Sequence, residues 1–191
     1  MKIFLDCEFT RLNQDSKLIS LALVSESGAE FYVELTDTYS VEDCSDFVIQ
    51  HVLPQLACLR YGQSLVEARA SLRRFLSGFD GELEVCSDAP NWDWDFLIDL
   101  IDVKHQPLPA QVMSQPINLI SLFNQINTEA LAHVELCDLP HHALLDARVL
   151  AELFKILVSA SQHAKEVPVT CTTSNRAPAD PDRVALDCRY L

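Results

Sequence analysis

Lys2-Ile3-Phe4-Leu5-Asp6-Cys7-Glu8-Phe9, followed by Leu18-Ile19-Ser20-Leu21-Ala22-Leu23-Val24 and Ala29-Glu30-Phe31-Tyr32-Val33-Glu34-Leu35, decides the fold. Each run has the length and apolar character of a strand, and Ser25-Glu26-Ser27-Gly28 is a turn between the second and third, so the three predict an antiparallel meander. Side chains alternate along a strand, so Asp6 and Glu8 share one side of the first. Two like charges beside an otherwise apolar run are costly unless something positive sits between them. A divalent cation is the usual answer.

Reading on from there, Val41 to Val52 predicts a short helix stopped before Pro54. Ser64-Leu65-Val66-Glu67 is a capping-box pattern that opens a stronger helix to about Leu76, with Leu65, Ala68 and Leu72 on one face. Leu83 to Cys86 is a fourth strand and Trp92 to Ile101 a helix. A proline-bearing loop from Lys104 to Pro116 precedes a short strand near Ile117 and a helix after it, within a segment reaching Val134. The last strong element is a helix from about His142 to Ser159. This order suits an α/β fold in which a mixed sheet carries helices on both faces; β-β-β-α-β-α is the ribonuclease H-like arrangement. The first strand would be central, and its end is where open α/β sheets bind ligands. The reading gives one domain over residues 1–160 and an irregular extension over 161–191, where Pro168, Pro178 and Pro181 fall among small polar residues.

The 191 residues are 49% hydrophobic and 22% charged, ordinary for one globular domain with its own core. Seven scattered cysteines, Cys7, Cys44, Cys58, Cys86, Cys137, Cys171 and Cys188, form no close pair and fit reduced thiols in a cytoplasmic protein. The opening MKIFLDCEF is too short for a signal peptide, and the stretch from Ala143 to Val158 is interrupted by Asp146, Arg148, Glu152 and Lys155, so no membrane segment is expected. A net charge of −14 excludes a protein that grips nucleic acid by a broad basic face. It leaves room for a local contact.

Two further acidic segments join the first: Asn91-Trp92-Asp93-Trp94-Asp95 on the mid-chain helix and His141-His142-Ala143-Leu144-Leu145-Asp146 at the head of the last one. In order and spacing, the set with Asp6-Cys7-Glu8 resembles the DEDDh exonucleases over about residues 1–158. Within them the opening, together with Val52-Leu53-Pro54, is similar to the bacterial ribonuclease AS group of 3′-to-5′ exoribonucleases. The resemblance implies two divalent cations, Mg²⁺ or Mn²⁺, with Asp6 bridging both, Glu8 and Asp146 completing the shell of one, and Asp95 acting on the other. It also implies that His141 takes the proton from an attacking water, and that the chain pairs as a homodimer. The chemistry accounts for the residue types without the family, because two cations about 4 Å apart can serve both ends of an in-line displacement at phosphorus. Carboxylates are fitting ligands for such hard cations.

Residues five apart on a helix are turned about 140° from each other, so His141 and Asp146 could not both face one site from within a helix. Pro140 favours a chain that becomes helical only at about His142, leaving His141 on the preceding loop. His142 is then a first-turn surface residue. Asp88, Asp93 and Asp99 compete with Asp95: Asp93 lies on another helical face, Asp99 one turn further along, and Asp88 at a strand end is the best alternative ligand. Trp94 reads as core, while Trp92 stays open between core and base stacking. Phe9, Thr10, Arg11 and Arg148 are the candidates for contact with substrate, each arginine weighed against a simple solvated side chain. Arg69, Arg73 and Arg74 form the one local basic cluster.

The function expected from the set is metal-dependent 3′-to-5′ hydrolysis of single-stranded RNA ends to nucleoside 5′-monophosphates. A deoxyribonuclease of proofreading type and a non-catalytic nucleic-acid-binding module of the same fold are the alternatives.

Overall fold

The computed structural model describes residues 1–102, 109, 111–125 and 140–166. Within them, six strands form one mixed sheet: β1 (Lys2–Phe9), β2 (Leu18–Ser25), β3 (Glu30–Leu35), β4 (Gly62–Gln63), β5 (Glu84–Ser87) and β6 (Ile117–Asn118), in the order β4-β3-β2-β1-β5-β6. The meander is present: β1 pairs antiparallel with β2 and β2 with β3, the β2–β3 turn closing through the Ser25 N–H to the Ala29 carbonyl at 2.9 Å. Gly28 takes φ 86° there, a conformation open to glycine at little cost. β5 and β6 add in parallel on the other side of β1, so the first strand is interior.

Among the described residues six helices accompany the sheet: α1 (Asp46–His51), α2 (Cys58–Tyr61), α3 (Leu65–Ser77), α4 (Pro90–Ile101), α5 (Leu119–Gln125) and α6 (Ala143–Glu166). The capping box is made as expected, with the Ser64 side chain accepting from the Glu67 N–H and Glu67 returning to the Ser64 backbone. The helix expected over Val41 to Val52 is instead broken. Val41–Asp43 is a 3₁₀ turn, Cys44 is extended, and α1 restarts behind Ser45, whose side chain accepts from the Val48 N–H. The short strand at Ile117 and the helix behind it are present; the part of that segment beyond Gln125 lies outside the described residues, as does the extension beyond Glu166. α6 runs past the boundary drawn at 160.

Alternation along β1 divides the core. Ile3, Leu5 and Cys7 pack with Leu72 and Leu76 of α3 and Leu97 and Ile101 of α4. Phe4 points the other way, to Phe123 of α5 and to Ala147, Leu150 and Phe154 of α6, its ring 5.4 Å from that of Phe154. Helices therefore cover both faces, and β2, buried along its whole length, reads as a nearly continuous apolar run for that reason. Burying each such side chain is worth about 1.5–3 kcal/mol. That apolar embedding makes the exception at Asp6 expensive. No helix among the described residues is long and apolar enough to cross a membrane.

Candidate metal centre

Asp6 and Glu8 follow Phe4 on the α6 side of β1, Asp6 with 9% of its surface exposed. The parallel register opposes Phe4 to Cys86, so Asp88, two residues beyond Cys86, comes level with Asp6 as β5 ends. Pro90 then occupies the first turn of α4, where a missing N–H costs nothing. Asp93 in that turn is buried; the Ser87 hydroxyl donates to its carboxylate and the Cys7 thiol lies 4.0 Å from its carbonyl. From the opposite face comes α6. The His142 carbonyl accepts from the Leu145 and Asp146 amides, and Asp146 Oδ2 accepts from the His142 N–H at 3.1 Å, which pins the aspartate in the first turn.

These carboxylates make two groups of three that share Asp6: Asp6, Asp88 and Asp93, and Asp6, Glu8 and Asp146, the oxygens within each lying within 4.8 Å of one another. Such a set can hold a metal ion. The ion pairs among the described residues, Lys2–Glu84, Lys17–Asp43, Arg148–Glu30 and Lys155–Glu152, all lie elsewhere. Burial pushes Asp6 well above the usual carboxylate range, and Asp93, Glu8, Asp146 and Asp88 add repulsion. Glu8 is pushed up to about 8 by burial and then by Asp146 and Asp93. Burial raises Asp93 against the opposing Ser87 hydrogen bond, raises Asp88, and lifts Asp146 to about 6 against the His142 amide. Asp146 Oδ1 is buried with no hydrogen-bond partner. An all-oxygen, mutually repelling donor set with an orphaned oxygen is what a hard divalent cation would satisfy.

The expected second-group ligand needs correcting. Asp95 is exposed and belongs to neither group; Asp93 and Asp88 stand at that position instead. The reason is helical register. Asp93, Leu97, Leu100 and Ile101 form the buried stripe of α4, and Asp95 is turned about 200° away from Asp93. Continuing that apolar periodicity back to residue 93 would have found it.

His141 lies on the loop before α6, as Pro140 suggested, with a left-handed backbone at φ 55°. Its ring sits edge-on to Phe47 at 4.8 Å, and its backbone N–H, after that of His142, helps hold the Asp146 carboxyl down. The His142 ring stacks on Tyr32 at 5.0 Å. Among the expected substrate contacts, Phe9 is stacked on Trp92 and Phe96 at 5.5 and 5.3 Å, and Thr10 is fully buried with its Oγ1 accepting from the Lys17 N–H. Arg11 donates to the Asp43 and Glu42 carbonyls, and Arg148 makes a bidentate pair with Glu30 at 2.7 Å. Trp94 packs partly buried against the α3–α4 core. Cys7, Cys44, Cys58 and Cys86 are free thiols.

No protein-family model matches the chain, and no curated protein does so either.

Proposed function

We propose that the chain is a metal-dependent 3′-to-5′ exonuclease of ribonuclease H-like fold that trims single-stranded RNA ends to nucleoside 5′-monophosphates. The observation that carries the reading is the pair of carboxylate groups sharing Asp6. One shared and two flanking positions on each side suit two cations, Mg²⁺ or Mn²⁺, that activate a water and relieve charge on the leaving oxygen. Glu8 and Asp146 would hold one with Asp6, and Asp88 and Asp93 the other. A first strand flanked by an antiparallel β2 and a parallel β5 supports the fold assignment.

The protein's own contribution is to fix these groups. The His142 amide orients Asp146, and Ser87 orients Asp93. His141, off the helix and beside Asp146 through its backbone, would accept the proton of the attacking water, for which an imidazole is suited near neutral pH. The opening strand and hairpin, together with Val52-Leu53-Pro54, support RNA as substrate through their resemblance to the ribonuclease AS group.

The test is a time course on single-stranded RNA labelled at its 5′ or its 3′ end, with Mn²⁺ and with EDTA, beside a DNA oligomer of the same sequence. Progressive shortening of the 5′-labelled RNA and release of a labelled mononucleotide from the 3′-labelled RNA, both lost in EDTA, are expected. Absence of products from every substrate with Mn²⁺ present refutes the reading. Faster cleavage of DNA moves it to the deoxyribonuclease class.

A further inference from the structure

His141 is the sole non-glycine residue of the described chain with a positive φ, and a side-chain-bearing residue keeps that conformation only where its surroundings impose it. The surroundings come from a distant stretch. Gln55 ends the 3₁₀ turn Leu53–Gln55, and its side-chain amide donates to the Pro140 carbonyl at 2.6 Å and to the His141 carbonyl at 3.1 Å, while also meeting the His51 carbonyl at 2.6 Å. All three partners are acceptors, so the NH₂ end of the amide faces them.

The platform beneath Gln55 is itself anchored. The Ser45 N–H at the start of α1 bonds to the Thr10 carbonyl at 2.9 Å, just past the acidic strand, and the Ala57 N–H bonds to the buried Glu34 carboxylate at 2.9 Å. Val52 is buried between these two ties. The same platform offers Phe47, whose ring meets that of His141 at a near right angle with the centroids 4.8 Å apart. A segment tied to β1 and β3 thus grips, through Gln55, the two carbonyls that flank the His141 Cα, those of Pro140 and of His141 itself. Yet Gln55 is exposed and touches none of the five acids, so its removal spares the core.

We infer that Gln55 is a positioning residue that holds His141 over the acidic centre. This rests on the exonuclease reading for its consequence in turnover, though not for its consequence in structure. Three full-length variants separate the possibilities. Gln55→Glu is nearly isosteric but has no donor for the two carbonyls; Gln55→Lys keeps a donor; Gln55→Ala removes the group. For each, kcat and KM on a 5′-labelled single-stranded RNA, Mn²⁺ affinity by electron paramagnetic resonance, and the His141 Hε1 proton resonance, sensitive to the Phe47 ring, are measured.

The expected result is a kcat lower by about tenfold to a hundredfold in Gln55→Glu and Gln55→Ala, with KM and Mn²⁺ affinity within about twofold and a displaced His141 resonance, the range set by what small misplacements of a reacting group cost. Gln55→Lys should recover most of the loss. An unmoved His141 resonance in Gln55→Glu overturns the inference, as does an unchanged kcat in an active protein or a fall in Mn²⁺ affinity that matches the fall in kcat. A wild-type protein that binds Mn²⁺ but cleaves no RNA defeats the exonuclease reading alone; the grip of Gln55 on His141 is then decided by the resonance.

Discussion

Asp88 stands level with Asp6 across the parallel pair of β1 and β5, because the register that opposes Phe4 to Cys86 carries each strand two residues further to its acid. This is the crevice at strand ends where open α/β sheets gather ligands. The pairing of the two main chains up to Phe4 and Cys86 brings both acids to one level, and their oxygens lie within 4.8 Å. Replacing Asp88 with Asn therefore removes charge without moving its neighbours. Mn²⁺ titration followed by electron paramagnetic resonance should show affinity weakened by about tenfold or more, and Asp93→Asn should do the same, by the weight that ligand charge carries in such sites. Binding at wild-type strength in both variants would remove this half of the centre. Asp95→Asn, on the exposed side of α4, should stay within about twofold of wild type on the same titration.

The pair Asp6 and Glu8 was legible in the sequence because a strand has a period of two and any strand places i and i+2 together. The meander was equally plain, as was the loop position of His141, which a proline dictates locally. Asp93 was harder. Aspartate flanked by two tryptophans on a helix of twelve residues gives two competing faces, and the choice depends on where α4 meets β1, which is a tertiary fact. The break at Cys44 was missed because Val41 to Val52 has helical character throughout, and only the Ser45 cap and its bond to Thr10 reveal the restart. Strand β4 is two residues long and carries no periodicity to read. The partners of the arginines beside the acidic motifs, Glu30 and the 42–43 carbonyls, come from other elements and could not be read from the motifs.

Gly62, in the edge strand β4, is needed for close approach. A Cβ there would lie 2.4 Å from the Cys58 carbonyl oxygen and 3.0 Å from Thr36 Cγ2, and the first contact is backbone that cannot swing aside. Gly62→Ala should destabilise the fold by about 1–3 kcal/mol, the cost of overpacking a fixed site. Urea unfolding at matched m-values measures it. A midpoint equal to that of the wild type would mean that β4 shifts freely.

Arg148 lies two residues past Asp146, but on a helix that turns it about 200° away. It pairs with Glu30, which opposes Val24 and so lies at the level of Phe4, below Asp6 in the sheet. Both side chains are more than a third exposed, so the pair is worth at most about 1 kcal/mol. Arg148→Ala should leave KM for a single-stranded RNA within about twofold of wild type and lower the melting temperature only slightly. A KM raised tenfold would show that the pair opens to receive phosphate.

Acidity and metal are linked through the raised carboxyls, and the sign is fixed by which state holds the protons. An unfolded carboxyl titrates near pH 4, whereas Glu8 in the folded chain titrates at about 8 and Asp146 at about 6, with Asp6 and Asp93 raised as well. Between those limits the folded chain binds more protons than the unfolded one, so stability without metal must fall as pH rises. The depressed acids Glu30, Glu42, Asp43, Glu67 and Glu84 act oppositely, but their contribution is lost only as pH falls below the unfolded range. In EDTA the melting temperature should therefore decline from about pH 5 to about pH 8, where the cluster is most heavily charged. Saturating Mn²⁺ should reverse the trend, since binding requires the deprotonated ligands and stabilises by about 2.7 kcal/mol at a hundredfold excess over Kd. Differential scanning calorimetry across this range, with and without Mn²⁺, reads both slopes. A melting temperature in EDTA that climbs steadily toward about pH 8 would mean that the five acids are not crowded as described, because relief of repulsion by protonation would then be absent.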